Sequence, residues 1–479
     1  MLFSSVIFIF YFLPIFLLGY YLSGWRTGTL LLGSVIFYVW GEGVYIVLLG
    51  ALIIVNYLGT AAIGRTQSDP RRRSALIALV ALDLAVLAYF KYAQFLAANL
   101  NQVLPGAPFP EINHDLPLGI SFFTFQLISY AFDVYRRQVP AERGLDKFAV
   151  YILMFPHLIA GPIVRFAAIR DELHANRRKT AQLGLGVQYF IVGLCQKVLI
   201  ANTLAPVADF AFGAAPGSLD RLTAWTGVAA YGLQIYFDFC GYSNMAIGLA
   251  FMLGFTFPKN FNYPYAAQSI TEFWRRWHMS LSSWFRDYVY IPLGGNRGGL
   301  LRTVRNLLTV FLLTGLWHGA AWNFIVWGLF HGAFLMIERF GFDRVLDASP
   351  RLLRHAYAML VVLIAWVFFR AVGLRHALSY LADMFSLSGH GTPGVAFAYL
   401  MNAQVLTAFV AGALLSFPLL PRLMDRLQAP RIGASPHLSP DLDTRNVHAI
   451  PVLTLVVGFV LSVAMLANSS LNPFLYFRF

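Results

Sequence analysis

Two histidines in this chain stand where an imidazole could move a proton away from bulk water. His318 is at the centre of Thr314-Gly315-Leu316-Trp317-His318-Gly319, inside a stretch from Asn306 to Ile337 that holds no Lys, Arg, Asp or Glu. That stretch is too long for one upright helix and too short for two spans with a generous turn. Backbone that breaks at membrane depth is tolerated where it is buried in protein or lines a water-filled cavity. The pattern therefore puts a histidine beside a helix break, deep in the protein. A neutral imidazole accepts a proton from a hydroxyl near pH 7, and burial favours that neutral form. General-base acyl transfer to an alcohol is the chemistry such a group would serve. The plainer alternative is a core histidine donating to a backbone carbonyl; its depth weighs for function, because ionisable groups inside a membrane are functional by default.

His278 belongs to Glu272–Tyr288, EFWRRWHMSLSSWFRDY. Projected on one continuous helix, Trp274, Trp277, Leu281, Trp284, Phe285 and Tyr288 share an arc, with Arg275, Arg276, Ser282, Ser283, Arg286 and Asp287 opposite. His278 falls among the aromatics. Such a helix is expected to lie at the membrane interface or dip into it, its basic face toward water and lipid phosphates and His278 pointing inward. His331, in Gly328-Leu-Phe-His331-Gly332, is expected in packing or a supporting place. On an unbroken helix it would face about 220° away from His318, so either the helix breaks between them or they share no site. Gly315/Gly319 and Gly328/Gly332 are small-x-x-x-small pairs, which permit close helix approach. Asp238 is a carboxylate in an otherwise apolar span; it needs a partner or a watery cavity, and could orient either histidine.

Other chemistry is poorly represented. There is no G-x-S-x-G elbow, no H-E-x-x-H and no G-x-x-x-x-G-K-[ST] loop. Pro292-Leu-Gly-Gly-Asn-Arg-Gly-Gly299 could bring backbone amides to donor phosphates, although such a run is more often a flexible turn. The two cysteines, Cys195 and Cys240, lie in apolar segments and read as packing, not as a disulfide framework or a zinc site. No metal-ligand cluster is expected.

The elements that must position these groups are apolar helices. Of 479 residues, 58% are hydrophobic and 12% charged, which suits a bilayer better than a soluble globule. Helix-length apolar segments fall near 3–22, 29–40, 44–63, 74–99, 117–135, 183–213, 223–256, 302–317, 319–338, 353–372, 403–420 and 450–467. The expected fold is all-α and polytopic, with about eleven crossings in one membrane domain, 1–479. Met1–Tyr21 reads as a retained span, since it lacks a basic start and a small-residue cleavage site. The net charge of +13 is scattered over short basic segments, which argues for cytoplasmic loops and against a nucleic-acid partner. Arg65 with Arg71–Arg73, Arg136 to Lys147, Arg165 to Lys179 and Arg275 to Arg305 are therefore expected inside, and Asn101–Leu116 outside. Gly41-Glu42-Gly43 is expected to break two passes.

Four segments carry a resemblance: FWRRWHMSLSSWFRDYVYIPLGGNR (273–297), TGLWHGAAWNFIVWGLFHG (314–332), FPHLIAGPIVR (155–165) and NPFLYFRF (472–479). Together they resemble the membrane-bound O-acyltransferase family and, more narrowly, its alginate O-acetyltransferase branch, through nearly the whole chain. The resemblance puts the family's catalytic histidine on His318 and its supporting histidine on His278. His157 and Arg165 match a family segment without an assigned chemical role. It implies a ring of helices, with re-entrant or interfacial pieces, around a central funnel in a bacterial inner membrane. It also implies an acetyl group taken from a cytoplasmic thioester, acetyl-CoA or another acyl donor, with no bound cofactor. That group would pass through periplasmic acetyltransferase partner proteins to hydroxyls of an exported polysaccharide such as alginate. His318 would act as base, or first receive or position the acyl group, and His278 would orient it. Relatives in the branch act on peptidoglycan or cellulose, and a cousin moves D-alanine onto teichoic acid. The rival reading is a polysaccharide or lipid transporter, or a secretion scaffold, without acyl-transfer chemistry; the paired broken repeats that would favour a transporter are not visible.

Overall fold

The computed structural model describes residues 1–104, 106, 109–111, 115–175, 182–386, 395–419, 422–423 and 450–468. Arg177, Arg178 and Lys179 of the third basic segment, parts of 101–116, and the terminal 472–479 motif lie outside the described residues. All regular structure among the described residues is helical.

Each of the twelve apolar segments holds helix. Among the described residues, six helices are long and apolar enough to cross a membrane: Tyr45–Arg65, Asp69–Val103, Leu183–Gly213, Leu300–His318, Trp322–Ala348 and Arg351–Arg370. Phe8–Leu22, Ala403–Leu415 and Val452–Asn468 are shorter apolar helices. Large aliphatic side chains such as Ile15, Leu18, Val47, Leu58, Leu360 and Leu461 are exposed on these helices, as a lipid-facing surface requires. The chain is an all-α, polytopic membrane protein. The break at Gly41-Glu42-Gly43 is present, between Arg26–Glu42 and Tyr45–Arg65.

The chain forms two compact units, residues 1–187 with 245–258, and 188–244 with 259–479. In the first, an aromatic core gathers on Phe155, whose ring lies 5.1 Å from Phe16 and 5.4 Å from Phe37. Two of its buried polar contacts join separate helices. Asn56 Nδ2 donates to Asp83 Oδ1 at 2.8 Å, and Arg72 reaches the Tyr135 carbonyl at 2.6 Å. Arg71–Arg73 thus belong to the start of the Asp69–Val103 helix and not to a loop, with Arg72 turned inward.

The second unit has one large core. It draws on the helix Arg221–Leu253 before Met245, the helix pair Leu300–His318 and Trp322–Ile337, the helix Arg351–Arg370, and the short helix Ile270–Arg276. The pair is an antiparallel hairpin held at van der Waals limits. A Cβ on Gly315 would lie 2.4 Å from the Phe324 carbonyl oxygen, and one on Gly328 would lie 2.2 Å from that of Phe311. Only glycine lets the two backbones meet there, which is the role expected of the small-x-x-x-small pairs. Asn323 Nδ2 then fastens the second helix to the carbonyls of Phe368 and Ala371, at 3.1 and 3.0 Å.

Candidate active site

The helix break expected near Gly319 is present. Leu300–His318 ends on the histidine itself, and Trp322 opens the return helix. His318 is 3% exposed. Its ring lies 4.9 Å from Trp317, 5.0 Å from Trp327 and 5.1 Å from Phe369, all edge-to-face. Helix C-termini carry partial negative charge from their last carbonyls, so a proton arriving on this ring meets a favourable field.

The His278 segment departs from the continuous helix of the projection. Ile270–Arg276 stops, His278 adopts left-handed backbone (φ 43°, ψ 54°), and a new helix starts at Met279. The cause lies in Asn260. Its carbonyl accepts from Met279 N at 2.9 Å, and its side-chain oxygen accepts from Ser280 Oγ at 2.8 Å and from His278 Nδ1 at 3.2 Å. Asn260 Nδ2 is itself anchored on Ser243 Oγ at 3.1 Å. A left-handed conformation costs a non-glycine residue about 1–2 kcal/mol, and this ring of hydrogen bonds offsets it. The aromatic side of the projection survives the break: Trp274, Trp277, Leu281, Trp284, Phe285 and Tyr288 are all buried.

Burial pushes the His278 imidazole down to about 3, so the ring is neutral at ordinary pH. With Nδ1–H donating to Asn260, its Nε2 carries the lone pair, and that nitrogen is buried without a hydrogen bond to the protein. Trp317 brings the two histidines together, its indole 6.0 Å from His278 and 4.9 Å from His318. His278 also packs edge-to-face on Phe239 at 4.7 Å.

His331 joins the same cluster, because the break at Gly319 cancels the angular separation of a continuous helix. It meets Trp327 at 5.2 Å, the indole that also contacts His318, and Trp274 at 5.1 Å. Asp238 finds the partner that its burial demands. It forms a buried ion pair with Lys197, at a π-helical turn, Gln196–Ala201. His157, in the first unit, has Nε2 on the Tyr151 carbonyl at 2.8 Å, and burial pushes its ring down to about 4. Cys240 is buried and Cys195 half-buried, and both are free thiols. In the 292–299 loop the carbonyls of Leu293 and Gly295 accept from Asn306 Nδ2 at 3.1 and 2.9 Å.

The sequence reading missed Asn260 and Lys197. Asn260 lies 18 residues before His278 with no motif spacing to join them. Lys197, a lone cation in an apolar run, was a visible signal: like Asp238, it needed a partner.

Comparison with known proteins agrees with this architecture. The model of the membrane-bound O-acyltransferase family matches residues 143–380, a range that includes His157, His278, His318 and His331. The chain is 43% identical to a probable alginate O-acetylase of Azotobacter vinelandii, over the whole of both proteins. It is 37% identical to a peptidoglycan O-acetyltransferase of Helicobacter pylori, covering 81% of this chain and 80% of that one. A teichoic acid D-alanyltransferase of Streptococcus thermophilus matches 46% of this chain and 56% of its own length at 32% identity. The chain therefore belongs to the membrane-bound O-acyltransferase family, in its alginate O-acetyltransferase-like branch, and is a multi-pass membrane enzyme that transfers acyl groups to oxygen.

Proposed function

We propose that this enzyme takes an acetyl group from a cytoplasmic thioester, acetyl-CoA or a similar donor, and sends it toward hydroxyls of an exported, alginate-like polysaccharide. It works in a bacterial inner membrane, surrounded by lipid and handing acetyl on to periplasmic acetyltransferase partners. Full-length similarity to a probable alginate O-acetylase supports the acetyl group and the glycan. The observation that carries the chemistry is the packing of His318 and His278 against one indole, Trp317, inside an aromatic cluster.

His318 is the base. It takes the proton of the accepting hydroxyl as that oxygen attacks the thioester carbonyl. The carbon–sulfur bond breaks, and the leaving thiolate recovers the proton from the imidazolium. The helix C-terminus beside the ring supports the transient positive charge. His278, locked by Asn260, is neutral and fixed in orientation, so its Nε2 meets the reacting group as an acceptor. The surrounding aromatic rings keep water from hydrolysing the thioester.

The test is His318→Ala in the full chain. Membrane protein level should stay near wild type, while histidine-dependent acetyl-CoA cleavage and glycan O-acetylation disappear. Near-normal acetyl content at matched protein level would remove His318 from the mechanism. Donor cleavage also separates this reading from a transporter or scaffold, which would show none.

A further inference from the structure

His331 is fully buried, and neither of its ring nitrogens has a hydrogen-bond partner in the protein. It is not alone. The indole nitrogens of Trp274 and Trp327, the two rings that meet it edge-to-face at 5.1 and 5.2 Å, are also buried without one. Phe273 stacks parallel to the imidazole at 6.1 Å, and Phe330 lies edge-on at 6.2 Å. Three touching rings thus carry four buried polar atoms without a protein partner. Buried groups of this kind are nearly always satisfied by protein or by ordered water, and a cluster of unsatisfied ones points to a polar ligand.

The donor set selects the ligand. Two indole N–H groups donate, and a neutral imidazole adds one donor and one acceptor. The four rings that meet His331, those of Phe273, Trp274, Trp327 and Phe330, are uncharged, which disfavours an ion. Water, which accepts from an indole N–H and donates to or accepts from one imidazole nitrogen, suits these groups and needs only two to four polar partners to be held.

We propose that His331, Trp274 and Trp327 form an internal water-binding site, and that His331 is a positioning residue for acyl transfer. It acts through that water and through Trp327, whose indole also packs on His318 at 5.0 Å. No bond is made or broken at His331. The site fixes the indole, and the indole fixes the base. This rests on His318 being the base.

The experiment uses the full chain in native membranes, with acetyl-CoA cleavage as the rate and thermal midpoint after detergent extraction as the stability readout. His331→Phe keeps the ring and removes both nitrogens; His331→Gln restores a donor and an acceptor. Expected for His331→Phe is a kcat lower by about tenfold to a hundredfold, an unchanged KM for acetyl-CoA, and a midpoint equal to or above wild type. His331→Gln should recover much of the rate. Wild-type kcat in His331→Phe would overturn the proposal, as would a rate loss matched by lost folded protein or no recovery in His331→Gln. His318→Ala in parallel separates the two claims: an active His318→Ala removes the base, whereas an inactive one beside a normal His331→Phe removes only the water site.

Discussion

The surroundings of His157 and His331 differ in one decisive respect. Both rings are buried among aromatic side chains. His157, in the first unit, has one nitrogen on the Tyr151 carbonyl. His331, in the second unit, has neither nitrogen on any protein atom. A histidine bonded to backbone is already employed in holding the fold. One with both nitrogens unclaimed loses free energy unless something else supplies a partner. The same contrast extends outward. In the first unit Asn56 is paired with Asp83, and Arg72 with a carbonyl. In the second, His278, His318 and His331 gather around Trp317 and Trp327. Substitutions in the first region should therefore cost stability, and those in the second should cost rate.

The strongest way to break that comparison is His318→Ala, for which loss of the proton acceptor should lower the rate by about 10²–10⁴-fold with folding intact. If the rate and the folded fraction fell together, the two regions would not differ in kind.

His278→Phe comes next. The variant should accumulate normally yet transfer acetyl poorly, and adding it to His318→Ala should change little, because residues acting as a unit are strongly non-additive. Asn260→Ala should approach the same low rate through loss of His278 orientation, with an added stability cost of about 1–3 kcal/mol for the unsatisfied groups. Full activity in a stable His278→Phe protein would reduce that ring to packing.

Gly328→Leu tests the frame beneath the site. Its side chain would enter the Phe311 carbonyl, and overpacking of this sort costs about 1–3 kcal/mol or more. Thermal unfolding in detergent should show a clear drop, with the surviving folded protein impaired as the His318 helix shifts. A neutral outcome would mean the hairpin is looser than the close backbone approach implies.

The smallest effect should come from the first unit. Asp83→Leu takes the carboxylate from Asn56 Nδ2, which keeps the Leu52 carbonyl at 3.1 Å, and should cost about 0.5–1.5 kcal/mol, while Asn56→Leu with Asp83→Leu recovers part of it. Acetyl-CoA cleavage per folded molecule should be unchanged in both. A rate defect at full stability would give this polar pair a functional role and dissolve the contrast.

Much of the architecture was legible from residue pattern alone. Apolar length marked the twelve helical segments, and the absence of charge between Asn306 and Ile337 foretold a helix break. The glycine pairs announced close approach. These features are local: each depends on composition and period within one stretch of chain, which the cost of exposing backbone or charge in a bilayer enforces directly. Resemblance then singled out His318 and His278 as candidates.

Other matters depended on tertiary contact. The break at His278 comes from Asn260, whose oxygens claim Met279 and Ser280 as well as the ring; a helical projection registers faces, not a distant residue competing for the backbone. Asp238 found Lys197, since burial demands that a carboxylate be compensated but does not say by what. His331, set apart by angle on a continuous helix, reached the shared indole because three non-helical residues reverse the direction between His318 and Trp322. Periodicity thus determined which surfaces this protein buries. The folded backbone decided which buried polar atoms are paired and which are left to do chemistry, because hydrogen bonds depend on sub-ångström placement that no single segment controls.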